Sequence, residues 1–145
     1  MWSLMWAFAV ASEPVEPPEV DTLRRALSMR HPVPCEELQA GLAEPVEALR
    51  WAVEGIQQPP WAGMRAAECL TRHHAEAVQA DLVRWVTEPQ LKGLGIQTVG
   101  LLEVLPVAVA VPVAREALRG PVAERARKAV TADVRPEVAA LVVAP

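Results

Sequence analysis

Prolines set the tightest limit on what this chain can fold into. Beyond residue 20, Pro34, Pro45, Pro59 and Pro60, Pro89, Pro106, Pro112, Pro121 and Pro136 fall between apolar-periodic stretches of about helix length. Proline cannot donate the hydrogen bond that a helix interior or a central strand requires, whereas at a first helical turn it loses none. The spacing therefore predicts short helices joined by brief turns, over 20–29, 35–43, 45–57, 61–72, 76–88, 91–104, 111–119, 121–131 and 136–143. The one competitor is the run from Val107 to Val113, whose alternation of valine and alanine also fits a strand.

An octet recurs along these segments: Asp21-Thr-Leu-Arg24-Arg-Ala-Leu-Ser28, Glu47-Ala-Leu-Arg50-Trp-Ala-Val-Glu54 and Asp81-Leu-Val-Arg84-Trp-Val-Thr-Glu88. A looser copy is Pro112-Val-Ala-Arg115-Glu-Ala-Leu-Arg119, and the central arginines stand 26, 34 and 31 residues apart. Apolar or small residues occupy the positions four and one before each arginine, which is a single helical stripe. Between the octets a second pattern recurs, with small and aliphatic residues at fixed offsets: Ala66, Cys69 and Leu70; Gly95, Thr98 and Val99; Ala126, Ala129 and Val130. Two alternating helix types with a period near 30 describe stacked helix pairs, each of which buries its apolar face only against its neighbours.

The segment Leu91-Lys-Gly-Leu-Gly-Ile-Gln-Thr-Val-Gly-Leu-Leu102, followed by Ala110-Val-Pro-Val-Ala-Arg-Glu-Ala-Leu-Arg-Gly120, closely resembles one HEAT-like repeat of the short bacterial variety. Residues 61–88 and 121–143 match more loosely, 35–57 by helix length and the Arg-Trp octet, and 1–19 not at all. The resemblance implies an all-α protein: an α-solenoid of about four antiparallel helix pairs over residues 20–145, a HEAT-like superhelix used for protein binding or scaffolding. It implies no family-wide catalytic residue and no cofactor.

Composition agrees with close helix packing, since 52% of the 145 residues are hydrophobic while the aromatic set is 5 Trp, 1 Phe and no Tyr. A net charge of -4 offers no basic field for phosphate backbones, so nucleic acid is not an expected partner. Residues 1–54 hold nine acids and four bases, residues 55–145 nine and ten. The first eleven residues carry no charge and end in Ala9-Val10-Ala11, the small-x-small pattern of a signal-peptidase site, although a basic n-region is missing. A cleaved leader there would place the protein in the periplasm or outside the cell; otherwise it is cytoplasmic. The run stops at Ser12-Glu13, well short of the roughly 20 apolar residues of a spanning helix. Residues 12–19 alternate acids with three prolines and read as an extended linker.

Metal-type side chains cluster only as His31 with Cys35, and as Cys69 with His73 and His74. Cys69 and His73 share a helical face, but two prolines interrupt 31–35 and no Cys-x-x-Cys supports a zinc site. The octet register makes the two cysteines equivalent at a separation of 34, so that in an exported protein they could bridge neighbouring helix pairs. The small-residue register instead puts Cys69 in the core and Cys35 near a helix start, beyond the roughly 7 Å α-carbon limit, and favours a pair of reduced thiols over the bridge. Carboxylates such as Glu36 and Glu37 read as solvated. Gly93, Gly95 and Gly100 read as positions of close helix packing, with no nucleophile elbow or phosphate loop anywhere.

The expected function is thus non-enzymatic: a scaffold that binds a protein or peptide on its concave face. The candidate binding residues are Arg50, Trp51, Arg84, Trp85 and Arg115, with Arg24 extending the row. A planar guanidinium beside an indole suits carboxylates and apolar groups of an extended partner. Acids three before and four after these arginines also predict ion pairs along each helix, and core or rim positions for the tryptophans. The alternative is a small metal- or thiol-dependent helical protein using the Cys/His residues. The apolar ending Ala139-Ala-Leu-Val-Val143 predicts a poorly capped last helix open to self-association.

Overall fold

The computed structural model describes residues 13–143, and among these it holds nine α-helices and no strand. They are α1 (Val20–Ser28), α2 (Cys35–Ala40), α3 (Pro45–Gly55), α4 (Trp61–His73), α5 (Gln79–Thr87), α6 (Lys92–Gly100), α7 (Val107–Ala117), α8 (Ala123–Ala132) and α9 (Pro136–Val143). Short 3-10 turns at Pro89–Leu91 and Leu102–Val104 lead into and out of α6. The leader read into residues 1–11 lies outside the described residues. Of the expected linker, Pro17 is buried and the Glu19 carboxylate accepts the Ala43 amide at 3.2 Å, so this segment lies against the fold.

Prolines start the helices as their chemistry dictates: Pro45 and Pro136 open α3 and α9, while Pro34, Pro60 and Pro106 immediately precede α2, α4 and α7. No side chain caps the first turn of α1 through α8. Helices this short are marginal in isolation, so burial rather than capping holds them. Pro112 departs from the expectation, because α7 begins at Val107 and not at 111. The Val/Ala run is helical because Val109, Ala110, Val113, Ala114 and Ala117 bury one continuous stripe at helical spacing. The proline deprives the Ala108 carbonyl of its helical donor, but Ala108 is an exposed residue on the solvent side of the helix.

Helix contacts run in two series: α1 on α4, α4 on α6 and α6 on α8; then α5 on α7 and α7 on α9. The series meet where α3 packs on α4, α5 on α6 and α8 on α9. The small-residue register faces these contacts, with Ala66, Cys69, Leu70, Gly95, Thr98, Val99, Ala126 and Val130 buried and Ala129 partly buried. Octet leucines Leu23, Leu49 and Leu82 are fully buried. At the far end α9 buries only Val138 and leaves Val143 exposed.

Two glycines permit the closest backbone approaches. A methyl group on Gly63 would stand 2.4 Å from the Val53 carbonyl oxygen, and one on Gly95 2.6 Å from that of Trp85. Gly93 and Gly100 have open space around them, which corrects the expectation that all three glycines of α6 serve packing. Gly63→Ala should therefore destabilise by about 1–3 kcal/mol through overpacking. Gly93→Ala should stabilise by up to about 1 kcal/mol through helix propensity. Urea denaturation midpoints of the two variants check both signs.

Candidate functional site

The octets of α3 and α5 face each other across a chain of charge. Asp81, in the first turn of α5, accepts a 2.8 Å hydrogen bond from Arg50 Nε of α3, and both side chains are about nine-tenths buried. Arg50 also pairs with Glu47 at 3.1 Å, one turn earlier on its own helix. Arg84 reaches back to Glu54 of α3 and lies 3.9 Å from both Asp81 and Glu88. The Arg50 guanidinium is held above its ordinary range, first by the Asp81 hydrogen bond, which outweighs the opposing effect of burial.

Four of the five pairs expected within octets form, Asp21–Arg24, Glu47–Arg50, Asp81–Arg84 and Arg84–Glu88, while Glu54, expected on Arg50, pairs across with Arg84. The pairs between octets go beyond that expectation. Period and helix face make the Arg50–Asp81 pair geometrically natural, but the sequence alone does not reveal which acid crosses between helices. The local charge is also opposite to the carboxylate-gripping role expected of these arginines. Glu47, Glu54, Asp81 and Glu88 surround Arg50 and Arg84, leaving two net negative charges.

The two octet tryptophans separate. Trp85 is 1% exposed and belongs to the core, which removes it from any partner-binding surface. Trp51 is half-buried, its indole lying over Gly55 of its own helix so closely that a Cβ there would meet the ring at 2.7 Å. Arg115 of α7 is exposed and makes no ion pair with a described residue. Arg24 is half-exposed beside Asp21 at 3.7 Å, and α1 packs chiefly on α4, which takes Arg24 out of the row of Arg50 and Arg84.

Cys35 and Cys69 form a disulfide with α-carbons 5.6 Å apart, correcting the expectation of reduced thiols. Cys69 is in the core and Cys35 does begin a helix, as expected, but the start of α2 lies directly over α4, which brings the two within bridging distance. Gln39 braces this junction: its amide nitrogen donates to Cys35 Sγ at 2.8 Å, and its carbonyl accepts from His74 Nε2. With the sulfurs bonded to each other, the Cys/His residues do not come together as metal ligands, and the described residues hold no cluster of three or more candidate ligands.

Two arginines carry structure that the sequence reading missed. Arg65 of α4 donates to the carbonyls of Leu27, Met29 and Arg30 at the end of α1 and lies 5.8 Å over the Trp61 ring. Arg135, just before α9, donates to the carbonyls of Leu102 and Leu105 while gripping Asp133 with two parallel hydrogen bonds. In both cases a guanidinium fork ties down backbone carbonyls at an element's end. The four-residue step from Trp61 to Arg65 and the Asp-x-Arg step at 133–135 are the available sequence signals.

No helix among the described residues is long and apolar enough to cross a membrane. The chain matches no family model, curated protein or solved structure with which it was compared.

Proposed function

We propose that this chain is a HEAT-like α-solenoid of helix pairs that acts as a non-enzymatic scaffold, binding a protein or peptide along the face built from α3, α5 and α7. The observation that carries this reading is the repeated use of one register: eight of the nine residues at the small-residue offsets of α4, α6 and α8 are buried, Ala129 being partly so, and the octet arginines Arg50 and Arg84 bridge α3 and α5. A stack built this way exposes an extended face rather than a closed cleft. The disulfide further favours an oxidising compartment, the periplasm or the exterior, as the place where the protein works.

The electrostatics refine the partner. Acids outnumber bases around Arg50 and Arg84, so the α3–α5 part of the face suits a basic or amide-rich segment, while exposed Arg115 on α7 suits an acidic group. Arg50 is unsuitable for charge reversal, because its change would strand buried Asp81. The test instead uses Glu54→Lys with Glu88→Lys, and separately Arg115→Glu, against a partner first identified by co-purification from the native cell. Affinity should fall by tenfold or more, about 1.4 kcal/mol, at unchanged helicity. Wild-type affinity in both variants would reject this face as the binding surface.

A further inference from the structure

We propose that the Cys35–Cys69 disulfide is a reducible latch: a dithiol opens it, and α2 then leaves α4 while the remaining helices stay folded. The inference rests on how little else holds α2. It contributes no fully buried residue, and Cys35 and Leu38 are its only apolar side chains packed against the core. Its other ties are polar: Gln39, which bridges to His74 and donates weakly to Cys69 Sγ at 3.6 Å, and a 3.8 Å approach of Glu36 to His73 at the surface. On either side the chain is fixed independently. Arg65 holds the carbonyls of Leu27 and Met29 upstream, and Leu42 is buried downstream.

The sulfurs are also within reach of a reductant. A recess of about 260 Å³, walled by Leu27, Val33, Leu38 and Arg65, is lined by both cysteines. Cys35 is half-buried whereas Cys69 is 5% exposed, so an incoming thiolate meets Cys35 Sγ first. Attack there forms a mixed disulfide with Cys35, and the broken bond's electron pair leaves on Cys69 Sγ, which takes up a proton. The second thiol of the reductant then displaces Cys35, which is protonated in turn, and the reductant departs as a disulfide. Two electrons pass from the dithiol to the protein. Opening uncovers the apolar floor formed by Leu27 and the α4 surface around Cys69.

Hydrogen exchange read by mass spectrometry on the full chain tests this, comparing the oxidised protein, the protein treated with dithiothreitol, and the same sample reoxidised. The amides of Leu38 and Leu42, bonded to the Pro34 and Gln39 carbonyls, report directly on α2. Reduction should speed exchange over residues 35–42 by about tenfold or more while α5 and α7 keep their protection, as a local opening requires. Reoxidation should restore the slow rates. A disulfide that resists dithiothreitol in the folded protein overturns the proposal, as does unchanged exchange over 35–42. Equal loss of protection across α2, α5 and α7 also overturns it, because the bond would then be a staple of the whole fold. The double variant Cys35→Ser/Cys69→Ser should match the reduced protein without any reductant. If that variant fails to fold, reduced wild type with alkylated thiols supplies the same reading.

Discussion

Trp85→Ala is expected to lower folding stability by about 3–5 kcal/mol, the cost of emptying a large aromatic site that cannot collapse. The side chain is among the largest fully buried ones, on a helix covered by both α6 and α7. Trp51→Ala, at the matching octet position but half-buried, should cost less than half as much. Trp85→Phe separates two contributions, since the buried indole Nε1 has no hydrogen-bond partner among the described residues and its removal relieves a desolvated donor. It should therefore be far milder than the alanine variant. Guanidinium midpoints at constant m-value check all three, and equal losses for Trp51→Ala and Trp85→Ala would contradict the burial difference.

Asp133→Ala should be comparably severe, about 3–5 kcal/mol, because it strands a guanidinium that is four-fifths buried. Asp133 accepts from Arg135 Nε at 2.9 Å, from its second terminal nitrogen at 2.7 Å and from its backbone amide at 2.9 Å. The side-chain hydrogen bonds from Arg135 hold the Asp133 carboxyl below its ordinary range against the opposing effect of burial, with the backbone bond adding to the depression. A carboxyl depressed in the folded state contributes its stability above the unfolded value, near 3.9, and that contribution disappears as pH falls through the folded value. Thermal midpoints of wild type and Asp133→Asn should thus differ by a constant amount from pH 7 to pH 5. The difference should narrow below about pH 4. A gap that stays constant down to pH 2 would show that Asp133 ionisation plays no part.

The helical character of the chain was legible because proline position and apolar period are local properties. Helices α1, α3, α4 and α9 lie within two residues of where those signals put them. The small-residue register also held, since Ala66, Gly95 and Ala126 can share a role only if their helices approach closely. The misplaced start of α7 has a local cause: Pro112 imitates a first-turn proline, and the valine alternation hides the stripe formed by Val109, Ala110, Val113 and Ala114. The remaining misses depend on what lies across a helix from a residue. Trp51 and Trp85 hold the same octet position and differ in what packs against them. The disulfide and the Asp81 partner of Arg50 join residues 34 and 31 apart, where spacing near the period marks neighbouring helices but does not say which side chains meet.

The unequal joints between helices give the molecule a direction of weakness. Among the described residues the ion pairs Arg50–Asp81 and Arg84–Glu54 cross from α3 to α5, whereas every buried residue of α7 and α9 is apolar, with α4 on α6 closing the opposite side. A sulfate salt tightens apolar contacts while its ionic strength screens partly exposed charges, so one solvent change strengthens the joints after α5 and loosens the one before it. Bending should then concentrate at that one boundary, with α4 against α6 as the pivot. A partner lying along the face would sense salt as a change of curvature as well as a change of charge.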